Sequence, residues 1–118
     1  MAGLLSGAAW AQTGTIKIIV GYPPGATSDT LTRLVADGMS KRLNQPVVVE
    51  NKTGAGGQLG NQAVKAAAAD GTTLLMTPVA TMSIFPHSYA GRLSYDPFKD
   101  FAPVAHLTNF QIGLGVAT

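Results

Sequence analysis

The sequence predicts an α/β domain that is built on a parallel β-sheet. Three short apolar runs with β-type residues, at 16–20, 47–49 and 72–77, alternate with two segments that have helical spacing or composition. The order strand, helix, strand, helix, strand is that of right-handed βαβ units, whose strands run parallel. Such strands end at one edge of the sheet, and in open α/β sheets ligands bind beyond the carboxyl ends of the strands.

The first strand is predicted at residues 16–20. This run is β-branched and is interrupted once, by Lys17. It is too short for a helix and fits a largely buried strand. The sequence Pro-Pro-Gly at 23–25 ends it, because proline cannot donate a hydrogen bond to a strand ladder.

A helix is predicted over residues 31–43. Its apolar residues recur at three- and four-residue spacing and form one face. These residues are Leu31, Leu34, Val35, Met39 and Leu43. We expect Thr27 or Ser28 to cap the helix, with Asp29 favourable in its first turn. The sequence Asn-Gln-Pro at 44–46 ends it, because the residue before a proline avoids helical geometry.

The second unit repeats this order. A buried strand at 47–49 leads into a glycine-rich turn at 53–57, an alanine-rich helix over about 58–69 and the third β-type run at 72–77. From residue 82 onward the periodicity weakens, and we expect an irregular connection there. Further strands are candidates at 101–108 and 111–117. The three loops that follow the first three strands cover residues 21–29, 51–58 and 77–83.

The loop at 21–29 predicts an anion site. It joins a strand to a helix, and the first N–H groups of a helix have no partner within the helix. The helix dipole adds partial positive charge there, so the site suits a carboxylate or a phosphate. The alternative is a purely structural turn, because Pro-Pro-Gly is a common way to reverse a chain.

Other kinds of site are disfavoured. The net charge is +2 and the basic residues are scattered, whereas a nucleic-acid surface needs a patch or a stripe. The chain has no cysteine, no G-x-S-x-G elbow and no pair of histidines at metal-binding spacing. We therefore expect no catalytic constellation, no metal site and no enzyme activity.

A dinucleotide site is the alternative that the glycine-rich turn raises. The G-x-G-x-x-G fingerprint needs a glycine at position 59, where this chain has Leu59. The acidic residue that should end the next strand is also misplaced, since Asp70 precedes that strand. A nucleotide-dependent α/β enzyme thus remains the alternative function, and no cofactor is predicted.

The first eleven residues are interpreted as a truncated signal peptide. They contain two adjacent leucines followed by Ala-Trp-Ala at 9–11, which fits a small-x-small cleavage site, but no basic start. The alternative is a disordered apolar lead.

Four motifs, in this order, resemble the Bug-type substrate-binding receptors of tripartite tricarboxylate transporters. They are Val-Gly-Tyr-Pro-Pro-Gly-Ala-x-x-Asp at 20–29, Val-Val-Val-Glu-Asn-Lys-Thr-Gly-Ala-Gly-Gly-x-x-Gly at 47–60, Asp-Gly-x-Thr-Leu-Leu at 70–75 and Tyr-Asp-Pro-x-Lys-Asp-Phe-Ala-Pro-Val at 95–104. The resemblance implies a type II periplasmic-binding-protein fold with two α/β domains and the ligand between them. It implies that residues 12–110 are most of the first domain and that 111–118 begin the crossover to a second domain absent from this chain.

The resemblance also implies a periplasmic receptor that passes a small di- or tricarboxylate to membrane transporter subunits. The ligand-binding residues that it implies are Tyr22, Gly25, Ala26, Thr27, Ser28, Asp29, Gly56, Gly57, Gln58, Thr77, Val79, Ala80 and Thr81. They act mostly through backbone amides and ordered water. Ala26 replaces a frequent glycine and is expected to leave its N–H free. A truncated, non-functional remnant is the remaining alternative.

Overall fold

The computed structural model of the protein describes residues 14–111, 113 and 115. Within these residues it has three parallel strands, β1 Ile16–Val20, β2 Val47–Asn51 and β3 Thr73–Met76, in the order β2-β1-β3. The predicted α/β class and parallel sheet are confirmed. The predicted signal peptide lies outside the described residues, as does much of the predicted fifth strand.

β1 is the middle strand and provides most of the core. Its Ile18 stands opposite Val49 of β2 and Leu74 of β3. Four of its five residues are buried, and only Lys17 is exposed. A nearly continuous apolar run suits this position, because the middle of a parallel sheet is covered on both faces.

Helix α1, Thr27–Leu43, buries a face that only partly matches the predicted one, since Leu31, Val35 and Met39 are half-buried. Its buried residues are Asp29, Thr32 and Ala36. Leu34 and Leu43, from the predicted apolar face, are 68% and 49% exposed. The helix packs on β1 and β2, and the small side chains at this contact permit a close approach. The prediction was wrong for these two leucines because spacing alone does not identify the contacting face.

The N-cap of α1 also differs from the prediction. The capping position is Ala26, with φ −67° and ψ 161°, and no side chain among the described residues caps the helix. Thr27 and Ser28 lie inside the helix instead. The Asp29 carboxylate accepts a hydrogen bond from the Gly25 N–H at 2.9 Å, so a side chain of the first turn, in place of a capping hydroxyl, ties the helix to the preceding loop.

Helix α2, Gln58–Lys65, follows a short 3₁₀ turn at Ala55–Gly57 and is shorter than predicted. The Ala67 N–H donates to the Val64 carbonyl at 3.0 Å. This three-residue hydrogen bond tightens the backbone and ends the helix despite the alanines that follow.

The chain beyond β3 contains two short helices, α3 Val79–Ser83 and α4 Phe85–Ser88, where the sequence predicted an irregular connection. Residues 101–111 have no regular secondary structure, so the predicted fourth strand is wrong. Among them only Phe101 is not exposed, and its ring packs edge-on against Tyr95 at 5.8 Å between centroids. In the described residues this run has one anchored side chain and no neighbouring strand to pair with. It therefore does not join the sheet.

The segment at 96–100 is anchored to α2, because Asp100 accepts from the Asp96 N–H at 2.7 Å and pairs with Lys65 Nζ at 2.8 Å. Within the described part of the chain, no helix has the length and apolar character needed to cross a bilayer.

Candidate ligand site at the carboxyl edge of the sheet

Three loops meet the carboxyl edge of the sheet. We call residues 21–29 the first loop, 51–58 the second and 77–83 the third. Because all three strands are parallel and β1 lies between β2 and β3, the first loop is the central one. The second loop is joined to β1 where the Lys52 N–H donates to the Val20 carbonyl at 2.8 Å.

The first turn of α1 presents unused backbone donors. The N–H groups of Thr27, Ser28 and Asp29 have no acceptor in the described residues. The Ala26 N–H, expected to be free, donates to the Pro23 carbonyl at 3.2 Å, because the Pro-Pro-Gly turn closes on itself. Three donors at the positive end of a 17-residue helix form an arrangement that stabilises an anion.

The Asp29 side chain is fully engaged with the protein. Its Oδ2 accepts from Gly25 N–H and Arg33 Nε, both at 2.9 Å, and its Oδ1 accepts from Arg33 Nη2 at 3.0 Å and Asn51 Nδ2 at 2.9 Å. The side chain is 3% exposed. Hydrogen bonds from Arg33, then from Gly25 and Asn51, hold the pKa of this carboxyl well below its usual range. Asp29 therefore supplies only its N–H to the edge, and its carboxylate fixes the loop.

Asn51 links β2 to the first loop. Besides Asp29, its Nδ2 donates to the Tyr22 carbonyl at 2.9 Å, and its Oδ1 accepts from Arg33 Nη2 at 3.2 Å. Sequence reasoning identified neither Asn51 nor Arg33 as part of the site. Asn51 had a signal, since it stands within a family motif directly after a predicted strand, whereas Arg33 belongs to none of the motifs that carry the resemblance.

Glycines bring the first two loops into contact. A Cβ on Gly21 would lie 2.8 Å from the Gly57 Cα, and one on Gly60 would lie 2.9 Å from the Gly21 Cα. Gly57 also has φ 94°, in the left-handed region that favours glycine. The Tyr22 hydroxyl closes the contact by donating to the Gly56 carbonyl at 3.2 Å. Burial, followed by the effect of Tyr95, raises the pKa of Tyr22.

The third loop is held by threonine hydroxyls. Thr81 is 1% exposed; its Oγ1 donates to the Pro78 carbonyl at 3.0 Å and lies 2.8 Å from Thr77 Oγ1. The Thr81 N–H also donates to Pro78. In the described residues the Val79 and Ala80 N–H groups have no acceptor, so both are available to a ligand.

All thirteen residues implied as ligand-binding lie in these three loops. Their contributions differ: Asp29 and Thr81 are buried, Tyr22 and Gly57 form the contact between loops, and Val79 is 70% exposed. Gln58 is the first residue of α2. Among the described residues, no group of three or more histidines and carboxylates is placed to hold a metal ion.

Comparison with known proteins assigns the family. The family described as "Tripartite tricarboxylate transporter family receptor" matches residues 31–118, and the chain belongs to it. The protein BugT of Bordetella pertussis is 38% identical over 90 residues, which cover 76% of this chain and 28% of that protein. The chain spans about 30% of the length of the first curated relatives that it matches.

Two solved structures share the fold. The MatC protein of Rhodopseudomonas palustris, with bound malate, has a TM-score of 0.75 and 38% identity, with coverage of 81% of this chain and 32% of that one. A protein described as a periplasmic transporter has a TM-score of 0.71 and 43% identity, with coverage of 75% and 29%. The predicted resemblance to Bug-type receptors and to the periplasmic-binding-protein fold is thus confirmed.

Proposed function

We propose that this chain is part of an extracytoplasmic receptor that binds a small organic acid and delivers it to the membrane subunits of a tripartite transporter. The receptor acts by binding and not by catalysis. One carboxylate of the ligand accepts hydrogen bonds from the backbone donors of the first and third loops, and the second loop borders the same position. A di- or tricarboxylate is the proposed ligand class, and the periplasm is the proposed location.

The observation that supports this proposal is the set of free N–H groups at Thr27, Ser28 and Asp29. They stand at the carboxyl edge of the sheet, at the start of the longest helix among the described residues. The nearby carboxylate of Asp29 is neutralised by Arg33 at 2.9 Å, so its charge is offset. The malate in the MatC structure is an acid of the proposed class.

A second domain is part of the proposal. Residues 12–110 are proposed as most of the first domain and residues 111–118 as the start of the crossover, with residues 1–11 as the end of a signal peptide. Sequencing the coding DNA beyond both ends tests this. We expect an upstream basic segment and a downstream frame long enough for a second domain; a stop codon directly after Thr118 would contradict the two-domain receptor.

The ligand class is tested by calorimetry on the receptor encoded by the whole reading frame. The panel contains malate, succinate, citrate and tricarballylate, with the neutral amide malamide as control. We expect heat from at least one acid, none from malamide, and weaker binding at higher salt because screening weakens interactions with an anion. No heat from any acid at millimolar concentration would contradict the proposal.

A further inference from the structure

Helix α3 is too short to hold the third loop in place by itself. It has five residues, Val79–Ser83, and an isolated helix of that length does not form stably in water. No backbone N–H of the described residues donates to the Thr81 carbonyl, because the Ile84 N–H that follows donates to the Ala80 carbonyl at 2.9 Å. Thr81 is 1% exposed, and a carbonyl in such surroundings needs a partner from the protein.

The side chain of Tyr95 is that partner. Its hydroxyl donates to the Thr81 carbonyl at 2.6 Å, and Tyr95 is 4% exposed. Its ring packs edge-on against Phe101, which limits its movement. Burial raises the pKa of Tyr95, although the hydrogen bonds with Asn61 and Thr81 oppose this rise. The phenol is therefore protonated at neutral pH and acts as a donor.

Tyr95 belongs to a segment that is fixed to helix α2. In the segment at 94–100, Ser94 Oγ accepts from Gln62 Nε2 at 2.6 Å, and the Ser94 carbonyl accepts from Lys65 Nζ at 2.9 Å. Helix α2 begins at the end of the second loop. The segment at 94–100 therefore links the second loop to the third, and Tyr95 makes the contact with the third loop.

The hydrogen bond from Tyr95 acts at the end of the turn that carries the third loop's free donors. The side chain of Thr81 ties this turn to its start, since its Oγ1 donates to the Pro78 carbonyl at 3.0 Å. The free N–H groups of Val79 and Ala80 lie between these two residues. The orientation of both donors therefore depends on the position of Thr81.

We propose that Tyr95 is a positioning residue of the receptor, whose hydroxyl holds the Thr81 carbonyl and so keeps the Val79 and Ala80 N–H groups in the orientation that the ligand needs. Tyr95 is buried, so it acts through Thr81 and does not touch the ligand. Without the hydroxyl, the ligand has to order the turn when it binds, and the entropy of ordering appears as lost affinity. The effect on affinity rests on the proposed function, whereas the order of the third loop does not.

The test uses Tyr95→Phe in the receptor encoded by the whole reading frame. Phenylalanine keeps the ring and its contact with Phe101 and removes only the hydroxyl. Without ligand, hydrogen exchange should become faster at the Thr81 and Ile84 amides, which are hydrogen-bonded within the turn. Affinity for the acid that binds the wild type, among malate, succinate, citrate and tricarballylate, should fall about three- to tenfold, the range of one net hydrogen bond. Saturating acid should restore part of the lost protection.

Ser40→Ala is the matched control. The Ser40 hydroxyl donates to the Gln45 carbonyl at 2.7 Å, which is the same kind of hydrogen bond. It lies where α1 ends and the chain enters β2, at the edge of the sheet opposite the candidate site. Ser40→Ala should lower the melting temperature but leave affinity and exchange at Thr81 and Ile84 unchanged. The comparison separates positioning from a general loss of stability.

Lys65→Met provides a second variant in case Tyr95→Phe does not fold. The Lys65 side chain is 40% exposed, and methionine keeps an apolar stem of similar length. The change removes the hydrogen bond to the segment at 94–100 and so loosens the support of Tyr95. Exchange at Thr81 and Ile84 should again become faster.

Each contrary result has a distinct meaning. The inference is wrong if exchange at Thr81 and Ile84 is unchanged in Tyr95→Phe or, where that variant does not fold, in Lys65→Met. It is also wrong if exchange is faster but affinity is unchanged, or if Ser40→Ala loses as much affinity as Tyr95→Phe. If no acid binds the wild type, the proposed function fails, and the exchange rates alone decide whether Tyr95 orders the third loop.

Discussion

Gly21 is the residue at which the first and second loops come closest. A Cβ there would lie 2.8 Å from both the Cα and the carbonyl oxygen of Gly57, and backbone atoms cannot rotate away. Gly21→Ala should therefore push the two loops apart and lower the free energy of unfolding by about 1–3 kcal/mol, the usual cost of overpacking. Urea denaturation of the receptor measures this.

Gly38 provides the matched control for Gly21. It lies within α1, and a Cβ there would meet no atom of the described residues within 4 Å. Gly38→Ala should raise the free energy of unfolding by about 0.5–1 kcal/mol, because alanine loses less backbone entropy in a helix. Equal effects of the two substitutions would show that the contact between Gly21 and Gly57 does not constrain the loops.

Asp29 makes the stability of the loops depend on pH. Its pKa is lowered in the folded protein, chiefly by Arg33, while an unfolded aspartate titrates near pH 3.9. The stability that its ionised form contributes is therefore fully present above about pH 5 and is lost as the pH falls toward the folded pKa. Asp29→Asn should lower the melting temperature at pH 7, and the gap from wild type should shrink below pH 4.

Comparing the melting temperatures of wild type and Asp29→Asn separates the contribution of the Asp29 carboxyl from that of the other carboxyls. The pKa values of Glu50, Asp70, Asp96 and Asp100 are also lowered, so both proteins should lose stability in acid. Only the difference between their melting temperatures reports on Asp29. A difference that stays constant down to pH 2 would mean that the hydrogen bonds to the Asp29 carboxylate do not stabilise the fold.

At the scale of elements, the first turn of α1 is the proposed contact between the backbone and the ligand. Thr27 is the first helical residue, and the Ala26 before it has φ −67° and ψ 161°, a conformation that proline accepts at the next position. Thr27→Pro thus removes one of the free N–H groups without disturbing the helix. The melting temperature should stay the same or rise, and affinity for the bound acid should fall at least about tenfold.

Thr27→Ala is the control for the loss of the threonine side chain. It keeps the N–H, so calorimetry should show nearly wild-type affinity for this variant. If both variants bind equally well, the backbone donor of Thr27 is not used by the ligand. If both bind equally poorly, the hydroxyl, and not the N–H, makes the contact.

Strands and loops could be predicted better than helix faces. The run at 16–20 has no polar residue except Lys17, so only a buried strand fits it, and the parallel order then places the three loops at one edge. The predicted face of α1 was wrong for Leu34 and Leu43, because the smaller Thr32 and Ala36, which the apolar spacing did not include, are the residues buried in the helix. Side chains that make several polar contacts, such as Asn51, do not belong to a periodic pattern in the sequence. Periodicity therefore does not identify them.

The segment after β3 shows a further limit of sequence reasoning. Its two short helices have four and five residues, too few for a helical period to be visible. The run at 101–108 is apolar enough for a strand, but a strand also needs a partner, and pairing depends on the rest of the fold.

At the scale of the molecule, the described residues leave much apolar surface exposed. Both outer strands have a partner on one side only. Val79, Phe98 and Val104 are 70%, 89% and 82% exposed. Open strand edges and apolar patches of this kind favour association with other chains. The fold shared with relatives covers about 30% of their length, so such surfaces are expected to be covered in a longer receptor.

The 118-residue chain by itself should therefore lack a stable native state. Three short strands and helices that bury few large side chains do not offset the conformational entropy of the chain. Calorimetric melting should give a broad transition or none, and sedimentation should show aggregates at micromolar concentration. The receptor encoded by the whole reading frame, measured alongside, should melt cooperatively as a soluble protein. A sharp, reversible melt from a monomer of the 118-residue chain would show that the three loops are held without any further domain, and the truncated-remnant alternative would then lose its physical basis.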